Sequence, residues 1–233
     1  LNLGDGAAAA IVERLAIRDA GPAELSPTAL EAWRIGLLDA LGKLRDDRAA
    51  AVLEAICRSS TTDTATLTAA AAALGRLETD AAASALVELS QLPDDRGRAV
   101  RAGMGHCRRL AVVHALAEAL PHQTELTSHR EVARALATSA NALVWRSGLV
   151  RHPDEGDELR AIAARALFDD YVTRPDAFRR ALLTAILVVD HPDLASWLDA
   201  RRATAEPELD VALDELARRL ESNPVSRMAT PER

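Results

Sequence analysis

The sequence predicts an all-α fold: a right-handed α-solenoid of about five antiparallel helix pairs, with a first capping helix and a disordered C-terminal tail. Three observations predict it. Residues 40–56, in which Ala40-Leu41-Gly42-Lys43-Leu44 leads into Val52-Leu53, return at 73–89 as Ala73-Leu74-Gly75-Arg76-Leu77 leading into Ala85-Leu86. Gly75 follows Gly42 by 33 residues, a helical-pair period, and a worn third copy places Gly105 a further 30 residues on, ahead of Leu116. The 233-residue chain is 48% hydrophobic but only 3% aromatic, so Ala, Leu and Val must form the core, and such small side chains suit close helix packing. Finally, proline-containing breakers at Gly21-Pro22, Pro93, Pro121, Pro153 and Pro192 punctuate the apolar stretches.

Each element has a local reason. A first helix from Asp5 or Gly6 through Leu15 ends before Gly21-Pro22 and caps the stack. Ser26 is an N-cap residue and Pro27 takes the first helical position, where its missing N–H costs nothing; the helix runs to Leu44 with Trp33, Leu37, Leu41 and Leu44 on one face. After Arg45-Asp46-Asp47, a second helix carries Val52, Leu53 and Ile56 inward. Asp63 starts the next pair, with helices over 64–77 and 80–92. Gly42 and Gly75 fall late in the first helix of their pairs, where glycine costs about 1 kcal/mol relative to alanine, so their recurrence predicts close packing.

Helices over 98–107 and 109–120 form the third pair, the first of them short or distorted because Gly103 and Gly105 weaken it. Ser128-His129-Arg130-Glu131 has the S-x-x-E capping-box pattern, predicting one long helix over 129–146. His152-Pro153-Asp154 recurs as His191-Pro192-Asp193 and marks two further helix starts, giving helices over 157–171, 176–189, 192–203 and 207–222. The domain reading is a single array over 1–222 and a flexible tail over 223–233, which holds almost no apolar residue.

The paired motif at 40–56 and 73–89, and more weakly at 188–198, resembles HEAT-like repeats of the phycobilisome-lyase type, in which "ALG-x-L" and a following apolar helix join two antiparallel helices. The resemblance implies a curved superhelix with a concave partner surface. Proteins of this kind include scaffolds, lyases, DNA-repair enzymes and regulatory domains, so the resemblance selects no activity.

Composition narrows the function classes. A formal charge of −7 gives no global attraction to phosphate backbones. No apolar run approaches the ~20 residues that cross a bilayer. Cys57 and Cys107 have no metal-ligand spacing, and no nucleotide-binding, hydrolase or zinc-protease motif is present. The expectation is therefore a chain that is not an enzyme, with no catalytic residue, metal or cofactor, acting in the cytoplasm. Its partner is expected to be another protein, or a larger polypeptide of which this is a part.

Superposing the repeats places Leu53, Leu86 and Leu116, and beside them Val52, Ala85 and Ala115, in the core. The same superposition aligns Ser84 with His114 and Glu88 with Glu118, one helical turn apart, and adds Arg58 and Gln91 at helix ends. These six form the predicted partner-binding stripe. The alternative nucleic-acid site is the arginine cluster Arg98, Arg101, Arg108 and Arg109, with Trp145 or Trp197 stacking on a base. A bilin-type lyase activity is implied only by the family resemblance.

Overall fold

The computed structural model describes residues 3–16, 25–148 and 150–227, and the described residues form helices and short turns without a strand. The chain divides into two compact units, Leu1–Val112 and Val113–Arg233, whereas the sequence leads one to expect one array over 1–222.

In the first unit, α1 (Leu3–Ala16) precedes α2 (Pro27–Leu44) and α3 (Ala50–Arg58), then α4 (Thr64–Gly75), α5 (Asp80–Ser90) and α6 (Asp94–Met104). Helix α4 packs against both α2 and α6, while α3 packs against α4 and α5. The first helices of successive pairs thus form one row and the second helices another, as in helical repeats. The starts follow from their caps: Ser26 Oγ accepts from Ala29 N–H at 3.3 Å, Asp63 Oδ1 from Thr66 N–H at 2.8 Å, and Thr79 Oγ1 from Ala82 N–H at 3.2 Å.

Leu53 and Leu86 are fully buried in this unit, each worth about 1.5–3 kcal/mol of burial. Ala85 is buried as expected, but Val52 and Ala115 are only half-buried. On α2, Leu41 is buried but Leu44 is exposed, and Leu38 takes the inner position. The repeat also fixes its turn. Arg45 and Glu78, 33 residues apart, both take the left-handed conformation, with φ of 51° and 54°. Both donate their N–H to the repeat glycine's carbonyl, Arg45 to Gly42 at 3.3 Å and Glu78 to Gly75 at 3.1 Å.

Helix α6 corrects an expectation. It starts at Asp94, four residues before the expected 98 and itself in the left-handed region at φ 59°, and runs for 11 residues. Its glycines meet close backbone neighbours: a Cβ on Gly97 would lie 2.0 Å from the Leu92 carbonyl oxygen, and one on Gly103 2.6 Å from that of Thr68.

Helix α7 (Leu110–Ala119) straddles the boundary between the units and buries Leu116 completely. The second unit continues with α8 (Leu126–Ser139), α9 (Ala142–Arg146), α10 (Gly156–Thr173), α11 (Asp176–Val189), α12 (Leu194–Arg202), α13 (Pro207–Glu221) and α14 (Pro224–Arg227). Helices α8, α10 and α11 pack mutually, and α13 packs against α11 and α12. The long helix expected over 129–146 is instead two, because Asn141 caps α9 by accepting from Leu143 N–H at 2.9 Å. The expected capping box does not form: α8 begins at Leu126, and Ser128 and His129 are buried inside it.

The expected tail from 223 starts later. Asn223 is buried and donates Nδ2 to the Leu187 carbonyl at 2.9 Å and to Asp190 Oδ1 at 3.1 Å, which anchors α14. Residues 228–233 of that tail, the expected break at Gly21-Pro22, and Leu149 lie outside the described residues.

Candidate functional site

Four of the six predicted stripe residues lie in the first unit, Arg58 on α3, Ser84 and Glu88 on α5 and Gln91 just past its end, and all are exposed. The structure joins two of them. Arg58 Nη1 and Nη2 donate to Glu88 Oε1 and Oε2, each at 2.9 Å, while Arg58 Nε donates to Glu54 Oε1 at 2.9 Å. This bidentate fork links neighbouring second helices. The Arg58 guanidinium holds the Glu88 carboxyl below the usual carboxylate range, and Glu88 followed by Glu54 raises Arg58 further. Ser84 stands one turn before Glu88, and Ala81 on the same helix and Ala51 and Ala55 on α3 are exposed as well. His114 and Glu118 are exposed one turn apart on α7, in the second unit.

The arginine cluster has a different use from the one expected. Arg108 is buried and donates Nη1 to Glu78 Oε1 at 2.8 Å, with Glu78 itself wholly inaccessible. Arg109 pairs with Asp80 at 2.6 Å and donates to the Glu78 carbonyl at 3.1 Å. Arg101 donates to the Ser90 carbonyl at 2.5 Å, and Arg98 pairs with Asp95 at 3.2 Å. Arg101, Arg108 and Arg109 thus fasten one repeat to the one before it, whereas Arg98 pairs within its own helix. Trp145 donates Nε1 to the Ser139 carbonyl at 2.8 Å and packs over Gly156, and Trp197 stacks on His191 at 5.7 Å; both are half-buried.

The network that sequence reasoning missed lies within the second unit. His129 is fully buried on α8, its Nε2 2.5 Å from Asp170 Oδ2 on α10. Asp170 Oδ1 accepts from Arg174 Nε at 3.1 Å, and Arg174 reaches on to the Pro121 carbonyl at 2.6 Å. Burial pushes the Asp170 carboxyl up, but the hydrogen bonds from His129 and then Arg174 outweigh it and hold Asp170 below its ordinary value. The ionised carboxylate accepts, so His129 Nε2 donates. Phe178 closes the site edge-on to the imidazole at 4.8 Å. No local motif announces the network, because its two halves lie 41 residues apart on different helices.

Both cysteines are unbonded, and burial pushes each thiol up to about 12, which keeps them protonated and inert. Among the described residues no three histidine, cysteine or acidic side chains converge as a metal site would need, and no helix is long and apolar enough to cross a membrane.

No family model matches the chain. No curated protein matches it in sequence. Among solved structures, human deoxyhypusine hydroxylase in complex with glycerol is similar at 16% identity and a TM-score of 0.33, over 94% of this chain and 98% of that one. A likeness this slight decides neither fold nor activity. It does correct one expectation: the similar chain is itself an enzyme, so the lack of a known catalytic motif is no ground for calling this chain non-catalytic.

Proposed function

We propose that the protein is a HEAT-like binding module, with repeats of the phycobilisome-lyase type, that recruits or positions a protein partner on the face of its second helices. The resemblance makes that face the concave one. The observation that carries the reading is the α3–α5 face: Ala51, Ala55 and Ser84 lie exposed around the bidentate Arg58–Glu88 pair, directly above fully buried Leu53 and Leu86. A low face on a fixed core loses little conformational entropy on binding, and a pre-formed ion pair has a set direction for recognising a polar segment. His114 and Glu118, on α7 in the second unit, are a separate exposed pair of the expected stripe.

Affinity capture with the wild-type chain and with Ser84→Arg/Gln91→Glu and His114→Glu/Glu118→Arg variants tests this. A partner recovered by the wild type and lost at least tenfold by the first variant supports the α3–α5 face. An unchanged set of captured proteins for both variants rejects it.

A further inference from the structure

The second unit holds a cleft of about 690 Å3 lined by α10, the turn at Asp190-His191, α12, α13 and α14. Small-molecule sites commonly span roughly 300–1,000 Å3, apolar for the most part with a few convergent polar groups. Here Leu194, Leu198 and Leu220 supply the apolar wall. The polar groups are arginines in unequal states of satisfaction.

Arg146 donates Nη1 to the Val225 carbonyl at 2.8 Å and Nη2 to Asp190 Oδ2 at 2.9 Å. Arg160, half-buried on α10, donates only Nη2, to the Val189 and Asp190 carbonyls at 3.0 and 3.1 Å, and its buried Nε has no partner. Arg202 on α12 pairs through Nη2 with Asp214, and its buried Nε also lacks a partner. The Nη1 groups of Arg160 and Arg202 make no hydrogen bond among the described residues.

Two of the three have an acid partner, Asp190 for Arg146 and Asp214 for Arg202, while Arg160 has no carboxylate paired to it among the described residues. Asp190 is saturated by Asn223 Nδ2, Ser226 Oγ and Arg146, while Asp199 and Glu221 line the cleft from exposed positions where water screens them. The unpaired charge in the cleft is therefore that of Arg160. Burial, then the neighbouring Arg146 cation, depress the Arg160 pKa, and His191 is held low by burial with Arg160 adding to the effect. An anion there would relieve a cost already present. One unpaired cation matches a single negative charge better than a dianion such as a phosphate monoester.

We propose that this cleft binds a small amphipathic carboxylate, its carboxylate received by Arg160 and Arg202 and its apolar body lying on Leu194, Leu198 and Leu220. None of these residues belongs to the partner-binding face, so either proposal stands if the other fails.

Calorimetric titration of the full chain with octanoate, octan-1-ol and acetate tests it. The expected result is saturable octanoate binding, with octan-1-ol and acetate each at least tenfold weaker. Arg202→Gln should weaken octanoate at least tenfold, and Ala195→Trp, which fills the cleft from an exposed position, should abolish binding. Arg160→Gln should act like Arg202→Gln; because Arg160 also holds two backbone carbonyls, Arg202→Gln and Ala195→Trp decide the matter if that variant does not fold. No saturation of the wild type up to about 10 mM, octan-1-ol binding as tightly as octanoate, or full binding by Ala195→Trp would each overturn the proposal.

Discussion

Gly42 touches the next repeat backbone to backbone: a Cβ placed on it would stand 2.7 Å from Ala73 Cα. Its repeat partner Gly75 stands in the same relation to Cys107, at 3.1 Å from the backbone nitrogen. Gly36, on the same helix as Gly42, has nothing within 4 Å. Alanine should therefore act oppositely at the two α2 positions. Gly36→Ala should stabilise by about 0.5–1 kcal/mol through helix propensity, and Gly42→Ala should destabilise by about 1–3 kcal/mol through overpacking. Urea unfolding of both variants checks this, and two shifts of the same sign would remove the close-packing account.

Arg45 and Glu78 share a backbone conformation and differ in what their side chains do. A non-glycine residue in the left-handed region costs roughly 1–2 kcal/mol, which glycine relieves in part because it also loosens the unfolded chain. Arg45→Gly should stabilise by about 0.5–1 kcal/mol. Glu78→Gly removes the partner of buried Arg108 and should cost about 3–5 kcal/mol, since an uncompensated buried cation remains. Thermal unfolding of the pair provides the comparison; a stabilised Glu78→Gly variant would mean that the Glu78–Arg108 pair contributes nothing.

These contrasts show what the sequence could disclose. Caps such as Ser26 and Asp63 act within three residues, and the leucine seam recurs with the repeat, so both were legible from local pattern. At Ser128 the local capping signal loses to the apolar face of α8, which draws the residue inside the helix. For the arginines, clustering along the chain says nothing about where the acids lie. Arg58–Glu88 and Arg108–Glu78 are each separated by 30 residues, so opposite charges near the repeat period were the signal available. The His129–Asp170 pair had none, since it joins helices outside the regular repeat.

Asn223 joins α14 to the end of α11 through two side-chain donations, to the Leu187 carbonyl and to Asp190. Asn223→Ala should remove both of these part-buried hydrogen bonds, at about 1–3 kcal/mol together, and free the last helix. Hydrogen exchange of amides in 223–227 should quicken while α8 and α10 keep their protection. Equal protection of 223–227 in both proteins would show that Asn223 is not the anchor.

Asp170 makes stability depend on acidity in a definite direction. Its folded-state pKa lies below the ordinary value of 3.8, so its contribution is complete above that value and is lost as pH falls through the folded-state pKa. At neutral pH, Asp170→Asn breaks a buried pair with both His129 and Arg174 and should cost about 3–5 kcal/mol. As the solution is acidified from about pH 6 to about pH 3, the wild type should lose stability faster than the variant, because only the wild type must protonate a held carboxylate. The gap between their thermal midpoints should narrow over that range. A gap that stays constant would mean that the carboxylate charge is not what holds α8 to α10.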